Sequence, residues 1–212
     1  MEFVSYAEAW PALRQQGLEE AERTDAELHL ALRETEQVAV IDVATTDHRS
    51  AAKLPPEVRR VPRQSIPLIV EAIVHRLRLD PVVLIPVGRW REVFDAVAFG
   101  MAENEVWKAV DQMASVELNT RDPILLGPGD HHTLRELLRV LLADGTKDSQ
   151  GLSIAASGTS ILIELLPCGQ MILFMGNPAM AVQVGDVIDQ AGRSDSTAAP
   201  DSAKQAPQRR HS

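Results

Sequence analysis

The sequence predicts a mixed α/β domain with three parallel strands and crossover helices, a C-terminal antiparallel β-meander and acidic N-terminal helices. Apolar, strand-like runs alternate with helical patterns over residues 38–143, which is the order expected for parallel strands joined by crossovers. Short apolar runs separated by turn-forming residues follow over 152–184, as is typical of antiparallel strands. An acidic segment with two helix-start motifs precedes both regions.

Residues 1–37 are predicted to form two acidic helices. The segment holds nine Asp and Glu residues against three Arg residues. Two motifs within it, Ser5–Glu8 and Thr24–Glu27, have the spacing of a capping box, in which a hydroxyl accepts from the amide three residues later and the Glu side chain reaches back. Gly17 is the expected break between the two helices.

Residues 38–185 are predicted to form the α/β domain itself. Its three parallel strands are expected at 37–46, 80–88 and 122–129, where short runs are rich in Val, Ile and Leu. A helix is expected to start at Ser65 after the first strand, and one long helix or two successive helices, broken near Gly100, are expected between the second and third strands. A further helix after the third strand is expected to end near Ala143. The four short runs of the meander complete the sheet; they lie at 152–156, 161–166, 171–176 and 180–184.

Two segments lack the pattern of a packed element. Residues 47–64 contain three prolines and no hydrophobic period, so they are predicted to form a long basic loop. Residues 186–212 are rich in Ser, Ala, Pro and Gln, and they are predicted to be a disordered tail because they have too little apolar surface to offset the entropy of ordering.

The expected core follows from this assignment. Aromatic residues at helical spacing are predicted to be buried; they are Trp90, Phe94, Phe99 and Trp107. The strands are predicted to bury Val38, Val40, Val82, Leu84, Ile124, Leu126, Ile161, Ile163, Ile172 and Phe174.

Composition narrows the classes of partner. A formal net charge of −9 argues against nucleic acid, whose binding depends on Lys and Arg that neutralise phosphates. No apolar run approaches the ~20 residues that span a bilayer, and the N-terminus lacks the features of a secretory signal. The single cysteine, Cys168, fits a reducing compartment. The expectation is a soluble, cytoplasmic protein without a membrane partner.

The expected strand ends contain the residues best suited to catalysis or metal binding. If the three strands are parallel, their carboxyl ends meet at one edge of the sheet, where ligands bind in such folds. An enzyme would then use Asp130, His131, His132 and Arg89, and its Mn²⁺ or Zn²⁺ ligands would be Asp47, His48, Asp130, His131 and His132. Such a metal lowers the pKa of a bound water, and Arg89 would offset charge on a phosphate.

The triplet Asp130-His131-His132 resembles the Asp-His-His motif that gives a phosphoesterase family its name. The resemblance implies a metal-dependent phosphoesterase, but that family pairs the triplet with an upstream Asp-x-Asp, which this chain lacks. The alternative is structural: Asp130 suits a helix N-cap, and Thr133–Glu136 is itself a capping box.

The sequence favours a soluble, non-enzymatic protein-binding, assembly or regulatory domain without a cofactor. It shows no nucleophile with a partnered base, no phosphate-binding glycine pattern and no Cys/His metal spacing. The predicted binding residues are Arg59, Arg60 and Arg63 of the basic loop, which suit an acidic surface on another protein or a second copy. The metal-dependent phosphoesterase is the alternative function.

Overall fold

The computed structural model describes residues 1–33, 38–46, 58–114 and 120–194. In chain order the elements of these ranges are β1 (Glu2–Phe3), α1 (Tyr6–Gln15), β2 (Leu18–Arg23), β3 (Leu28–Leu32), β4 (Ala39–Thr45), β5 (Arg59–Val61), α2 (Ile66–Leu77), β6 (Val82–Pro86), α3 (Trp90–Val97), α4 (Glu105–Ala114), β7 (Ile124–Leu126), α5 (His131–Asp144), β8 (Leu152–Ala156), β9 (Thr159–Leu165), β10 (Met171–Met175) and α6 (Pro178–Ser194).

Eight of the strands form one sheet in the order β1-β7-β6-β8-β9-β10-β4-β5, and β2 and β3 form a separate hairpin. The mixed α/β class is therefore confirmed, as is the antiparallel meander of β8, β9 and β10. The predicted core of three parallel strands is not confirmed. Strands β6 and β7 are neighbours but antiparallel, and three strands separate β4 from β6.

The number of helices between β6 and β7 explains their direction. The chain breaks near Gly100, as predicted, and forms two successive helices, α3 and α4. A single helix would return the chain to the end of the sheet where β6 starts, and the next strand would run parallel to β6. A second helix brings the chain back to the end where β6 finishes, so β7 starts there and runs antiparallel. The Trp90 amide at the start of α3 consequently lies 3.4 Å from the carbonyl oxygen of Thr120, just before β7.

Helices α2 to α6 pack on one face of the sheet. Apolar side chains of α2, α3, α4, α5 and α6 form one buried cluster with the alternate residues of the strands, among them Val82, Leu84 and Ile154. Burial is confirmed for Trp90, Phe94 and Trp107, but wrong for Phe99, which is 95% exposed. Phe99 lies in the turn after α3, where the helical spacing that predicted its burial no longer holds.

The β2–β3 hairpin and α1 cover the other face. Leu28, Leu30 and Leu32 alternate with less buried residues along β3, and they pack with Leu18 against sheet residues that include Leu162. The predicted second N-terminal helix is therefore wrong. Thr24–Glu27 forms the hairpin turn instead, with the Glu27 amide donating to Thr24 Oγ1 at 2.8 Å.

Most of the predicted strand core is buried, and the exceptions lie on the hairpin face. Six residues are fully buried: Val82, Leu84, Ile124, Leu126, Ile161 and Ile163. Val38, Ile172 and Phe174 are half-buried. Val40 is 52% exposed, because the hairpin packs mainly over β9 and leaves β4, two strands further along the sheet, less covered.

The C-terminal segment is helical further along the chain than predicted. Residues 180–184, expected as a strand, and 186–194, expected as disordered, belong to α6. Asn177 Oδ1 accepts from the Met180 amide at 2.8 Å at the start of this helix. Val184 and Ile188, one turn apart, are buried against the helical face of the sheet. The predicted tail from 195 onward lies outside the described residues.

The predicted basic loop is also partly ordered into elements. Residues 47–57 lie outside the described ranges. The remainder is not loop throughout, since Arg59–Val61 forms β5, paired in parallel with β4, and Arg63–Ser65 forms a 3-10 turn before α2. No helix in the described part of the chain is long and apolar enough to cross a membrane.

A glycine in the β9–β10 turn gives a direct test of the sheet. Gly169 has a φ of +88°, and a Cβ there would lie 2.3 Å from Cγ2 of the buried Thr45 on β4. We expect Gly169→Ala to lower the free energy of unfolding by about 2–4 kcal/mol, from the left-handed backbone and the overpacking together.

Gly158→Ala is the matched control for this substitution. Gly158 also has a positive φ, +79°, but nothing lies within 4 Å of its added Cβ. Its loss should be about 1–2 kcal/mol, from the backbone alone. Equal losses for the two variants in urea unfolding would contradict the close approach of the turn to β4.

Candidate functional site: an arginine cleft

An open cleft lies at the edge of the sheet where β6 ends and β7 begins. Its volume is about 250 Å³. We call it the arginine cleft, and its lining residues are Tyr6, Arg23, Leu28, Arg89, Thr120, Arg121 and Asp122.

Four separate parts of the chain build the cleft. Arg89 follows β6, and Arg121 precedes β7, so the antiparallel pairing of these strands brings both arginines to the same edge. The β2–β3 hairpin adds Arg23 and Leu28, and the Leu28 amide donates to the carbonyl of Val87 at 2.7 Å. The cleft thus depends on contacts between residues that are distant in sequence.

The start of α1 completes the cleft. The backbone amide of Tyr6 donates to Asp122 Oδ1 at 2.8 Å, which ties α1 to the segment before β7. The same segment is also bound to α3, since Trp90 Nε1 donates to the carbonyl oxygen of Asp122 at 2.7 Å. The Asp122 segment of the lining is therefore hydrogen-bonded to two helices, α1 and α3.

Arg121 contacts both the segment after β6 and the hairpin turn. Its Nε donates to the carbonyl of Gly88 at 2.8 Å, and its Nη2 lies 3.4 Å from the carbonyl oxygen of Thr24 and 3.3 Å from that of Asp25. All three acceptors are neutral carbonyl groups. Burial lowers the pKa of Arg121, and the nearby positive charges of Arg89 and Arg23 lower it further.

The other two arginines have different surroundings. Arg89 Nη2 lies 3.4 Å from the carbonyl oxygen of Asp25 in the hairpin turn, which Arg121 also approaches. Arg23 Nη1 pairs with Glu20 at 2.8 Å. This hydrogen bond and the charge of Glu20 raise the pKa of Arg23.

Tyr6 is a hydrogen-bond donor within the cleft. Its hydroxyl donates to Glu20 Oε1 at 2.9 Å. Burial raises the pKa of Tyr6 well above its ordinary value, and the hydrogen bond and negative charge of Glu20 raise it further. Tyr6 therefore stays protonated at neutral pH.

The described lining of the cleft holds more positive than negative groups. It has three guanidinium groups and the carboxylate of Asp122, and Glu20 pairs with Arg23. The whole chain has a formal charge of −9, so the cleft is a local positive site on an acidic protein. Guanidinium groups bind planar anionic groups through paired N–H donors, and the arrangement is therefore suited to holding an anion.

The residues of the predicted metal site have other surroundings. Asp130 Oδ2 accepts from the N-terminal ammonium of Met1 at 2.9 Å and from the Gly127 amide at 3.0 Å. The ring of His131 packs edge-on against His75, with 5.2 Å between centroids, and its two nitrogens are buried without a hydrogen-bond partner among the described residues. His132 is exposed.

Strand direction separates this triplet from Arg89. Because β6 and β7 are antiparallel, the end of β7, with Asp130, lies at the opposite edge of the sheet from the end of β6, with Arg89. Asp47 and His48 lie outside the described residues. Within the described ranges no three or more His, Cys, Asp and Glu side chains are grouped so that they could hold a metal ion.

The predicted binding arginines make contacts within the chain. Arg59 donates to the carbonyl of Gly185 at 3.0 Å and to Asp189 on α6. Arg63 Nε donates to the carbonyl of Leu142 in the last turn of α5 at 3.0 Å, and its Nη2 to that of Pro167 at 2.6 Å. Arg60 is exposed. A partner-binding role for these three residues stays a prediction.

The sequence pointed to Arg89 and missed its neighbours in the cleft. Arg23 was assigned to a helix, and Arg121 lies 32 residues after Arg89 in the chain. A local signal was lacking because their convergence depends on the hairpin and on the antiparallel pairing. No family model matches this chain, and neither a curated protein nor a solved structure is significantly similar to it.

Proposed function

We propose that this chain is a non-enzymatic protein-binding domain whose recognition site is the arginine cleft. The observation that carries the proposal is the convergence of Arg23, Arg89 and Arg121 on one open cleft. Burial lowers the pKa of Arg121, and the gathered positive charges of Arg89 and Arg23 lower it further. Charged groups held in such unfavourable surroundings in a cleft are typical of functional sites.

The side chains of the cleft favour binding over catalysis. Tyr6 holds its proton more tightly than an ordinary tyrosine, which makes it a poor general base. Thr120 has its hydroxyl oxygen 2.9 Å from the amide of Asp122, from which it accepts a hydrogen bond. Arginine and tyrosine are among the side chains that contribute most to protein–protein affinity.

The charge balance favours a protein partner over nucleic acid. Binding to a nucleic acid requires the neutralisation of several phosphates, whereas the chain carries a formal net charge of −9. A single acidic group on a folded partner, or on a second copy of this chain, meets the positive charge locally. Complementary charge of this kind contributes mainly to specificity and association rate.

The proposal is tested by capture with the full chain as bait. Wild type and Arg121→Glu are compared for the proteins that they retain, and light scattering detects self-association. We expect Arg121→Glu to reduce recovery of the specific partner at least tenfold, which corresponds to about 1.4 kcal/mol of binding free energy.

Arg14→Glu is the matched control for this experiment. Arg14 is exposed in the last turn of α1, about 12 Å along the helix axis from Tyr6, and the substitution changes the net charge equally. The control should retain the partner at the wild-type level. Equal recovery by the two charge-reversed variants, or no specific protein or dimer with any bait, contradicts the proposal.

A further inference from the structure

We propose that α4 and the turn before it form a self-association surface, which binds the same surface of a second copy of this chain. We call it the α4 surface, and its residues are Phe99, Val106, Ala109 and Met113. It shares no residue with the described lining of the arginine cleft. Its support comes from the exposure of these side chains, the fixed position of α4 and the order of charges along the helix.

The α4 surface exposes three large apolar side chains. Phe99 is 95% exposed, Met113 55% and Val106 40%. Val106, Ala109 and Met113 are three and four residues apart on α4, so they lie on one face of the helix, and Ala109 is exposed as well. Exposed apolar side chains that are grouped in this way, rather than scattered, indicate a protein–protein contact.

Another face of α4 holds the helix in place. Trp107 is buried and stacks on Phe94 of α3, with 4.5 Å between ring centroids. Asn104 precedes the helix; its Oδ1 accepts from the Trp107 amide at 2.9 Å, and its Nδ2 donates to Glu136 of α5 at 2.6 Å. The exposed face therefore belongs to a helix whose position is set before a partner binds, which lowers the entropy cost of association.

The order of charges on α4 favours a second copy in the antiparallel direction. Glu105 and Lys108 pair with each other at 2.8 Å, and Val106 lies between them along the helix. A two-fold axis beside Val106 reverses this order in the second copy, so each Lys108 comes level with the Glu105 of the other copy. The two intrachain pairs then form one alternating group of four charges, which is complementary across the contact.

The same two-fold axis matches the apolar ends of the surface. Phe99 precedes Val106 by seven residues, and Met113 follows it by seven. Reversing one copy brings the turn with Phe99 next to the end of the other α4, with Met113. A methionine sulfur makes a favourable contact with an aromatic ring. The contact is therefore made twice, once on each side of Val106.

The test is sedimentation equilibrium of the full chain over a range of concentrations. The formal charge of −9 on each copy opposes association, so the buffer contains about 0.15 M NaCl to screen it. We expect a monomer–dimer equilibrium with a dissociation constant on the order of 10–100 µM, as for a small interface. A wild-type chain that stays monomeric up to about 500 µM overturns the proposal.

Met113→Glu and Leu68→Glu are the matched variants. Leu68 on α2 is 54% exposed and Met113 on α4 55%, and both substitutions add the same charge. Met113→Glu should weaken the dimer roughly tenfold or more, whereas Leu68→Glu should leave it unchanged. Phe99→Ala should also weaken it, and this variant remains folded because its ring is exposed. Equal dimerisation by wild type and Phe99→Ala contradicts the α4 surface.

Glu105→Lys and Lys108→Glu test the antiparallel arrangement. Each variant alone gathers four like charges beside the two-fold axis, so its dimer should weaken roughly tenfold. In an equal mixture, one copy presents two positive side chains and the other two negative ones. The mixture should therefore form a mixed dimer at least as tight as that of wild type. A mixture that associates as weakly as its two components overturns the arrangement.

Failure of this inference is distinguishable from failure of the proposed function. Arg121→Glu changes the arginine cleft and leaves α4 as it is, so this variant should dimerise like wild type even where it loses the captured partner. Loss of the dimer in Arg121→Glu, together with its retention in Met113→Glu, assigns self-association to the cleft and overturns the α4 surface.

Discussion

Trp90→Ala is expected to lower the free energy of unfolding by about 4–5 kcal/mol, at the upper end of the range for large core truncations. The Trp90 side chain is fully buried, and its ring makes edge-on contacts with Phe3 and Phe94, each with 6.0 Å between centroids. Its removal leaves a cavity and also takes the Nε1 donor from the carbonyl of Asp122.

Two further variants separate the loss of the Trp90 hydrogen bond from the loss of its packing and provide a control. Trp90→Phe keeps much of the ring but leaves the Asp122 carbonyl without its donor, and should cost about 1–3 kcal/mol. Phe99→Ala is the control, because Phe99 is 95% exposed and its truncation should change stability by less than about 0.5 kcal/mol. Urea unfolding followed by circular dichroism measures all three, and similar losses for Trp90→Ala and Phe99→Ala would falsify the packing described for α3.

The second large effect is expected at a partly buried ion pair between the hairpin and the sheet. His29 on β3 has its Nδ1 3.1 Å from both carboxylate oxygens of Glu164 on β9, and its Nε2 3.6 Å from Glu27. Glu164 is only 8% exposed. We expect His29→Gln to lower the free energy of unfolding by about 1–3 kcal/mol at pH 6, because it leaves a buried carboxylate without its charged donor.

The pKa shifts of the pair give the direction of its pH dependence. Burial raises the pKa of Glu164 above 4.5, and His29 opposes this only in part. Burial lowers the pKa of His29, but the charges and hydrogen bonds of Glu164 and Glu27 outweigh it and raise the pKa above 6.5. Both groups therefore bind protons more tightly in the folded chain than in the unfolded one.

Stability should consequently fall as the pH rises. The contribution of His29 is fully present below pH 6.5 and is lost as the pH passes through its raised pKa. The contribution of Glu164 declines from pH 4.5 upward, through its own raised pKa. The measurement is urea unfolding at intervals between about pH 5 and pH 8, the range over which histidine changes charge.

His132→Gln is the control for the pH series. His132 is exposed on α5, so this variant should keep the wild-type slope, whereas His29→Gln should flatten it above pH 6.5. Identical slopes for the two variants contradict the assignment. Because the hairpin supplies Arg23 and Leu28 to the arginine cleft, a loss of hairpin stability should also disturb the proposed binding site.

Local patterns in the sequence were sufficient for several elements and misleading for others. The periodicity after Ser65 and the break near Gly100 correspond to α2 and to the boundary between α3 and α4. Thr24 accepts from the Glu27 amide as a capping box requires, yet the element is a hairpin turn. A hydrogen bond from the amide of residue i+3 to the side chain of residue i occurs both at a helix start and in this hairpin turn. The alternating burial along β3 shows that the hairpin forms.

The sequence by itself determined which segments form the main-sheet strands β4 and β6–β10 and their connecting helices α2–α5, and the acidic character of the protein. Only the tertiary structure decided the direction of the strands and therefore which side chains meet. With α3 and α4 both between them, β6 and β7 run antiparallel, which places Arg121 beside Arg89 and Asp130 at the opposite edge. The physical reason is that propensity and periodicity act within one element, whereas strand pairing depends on packing between residues far apart in the chain.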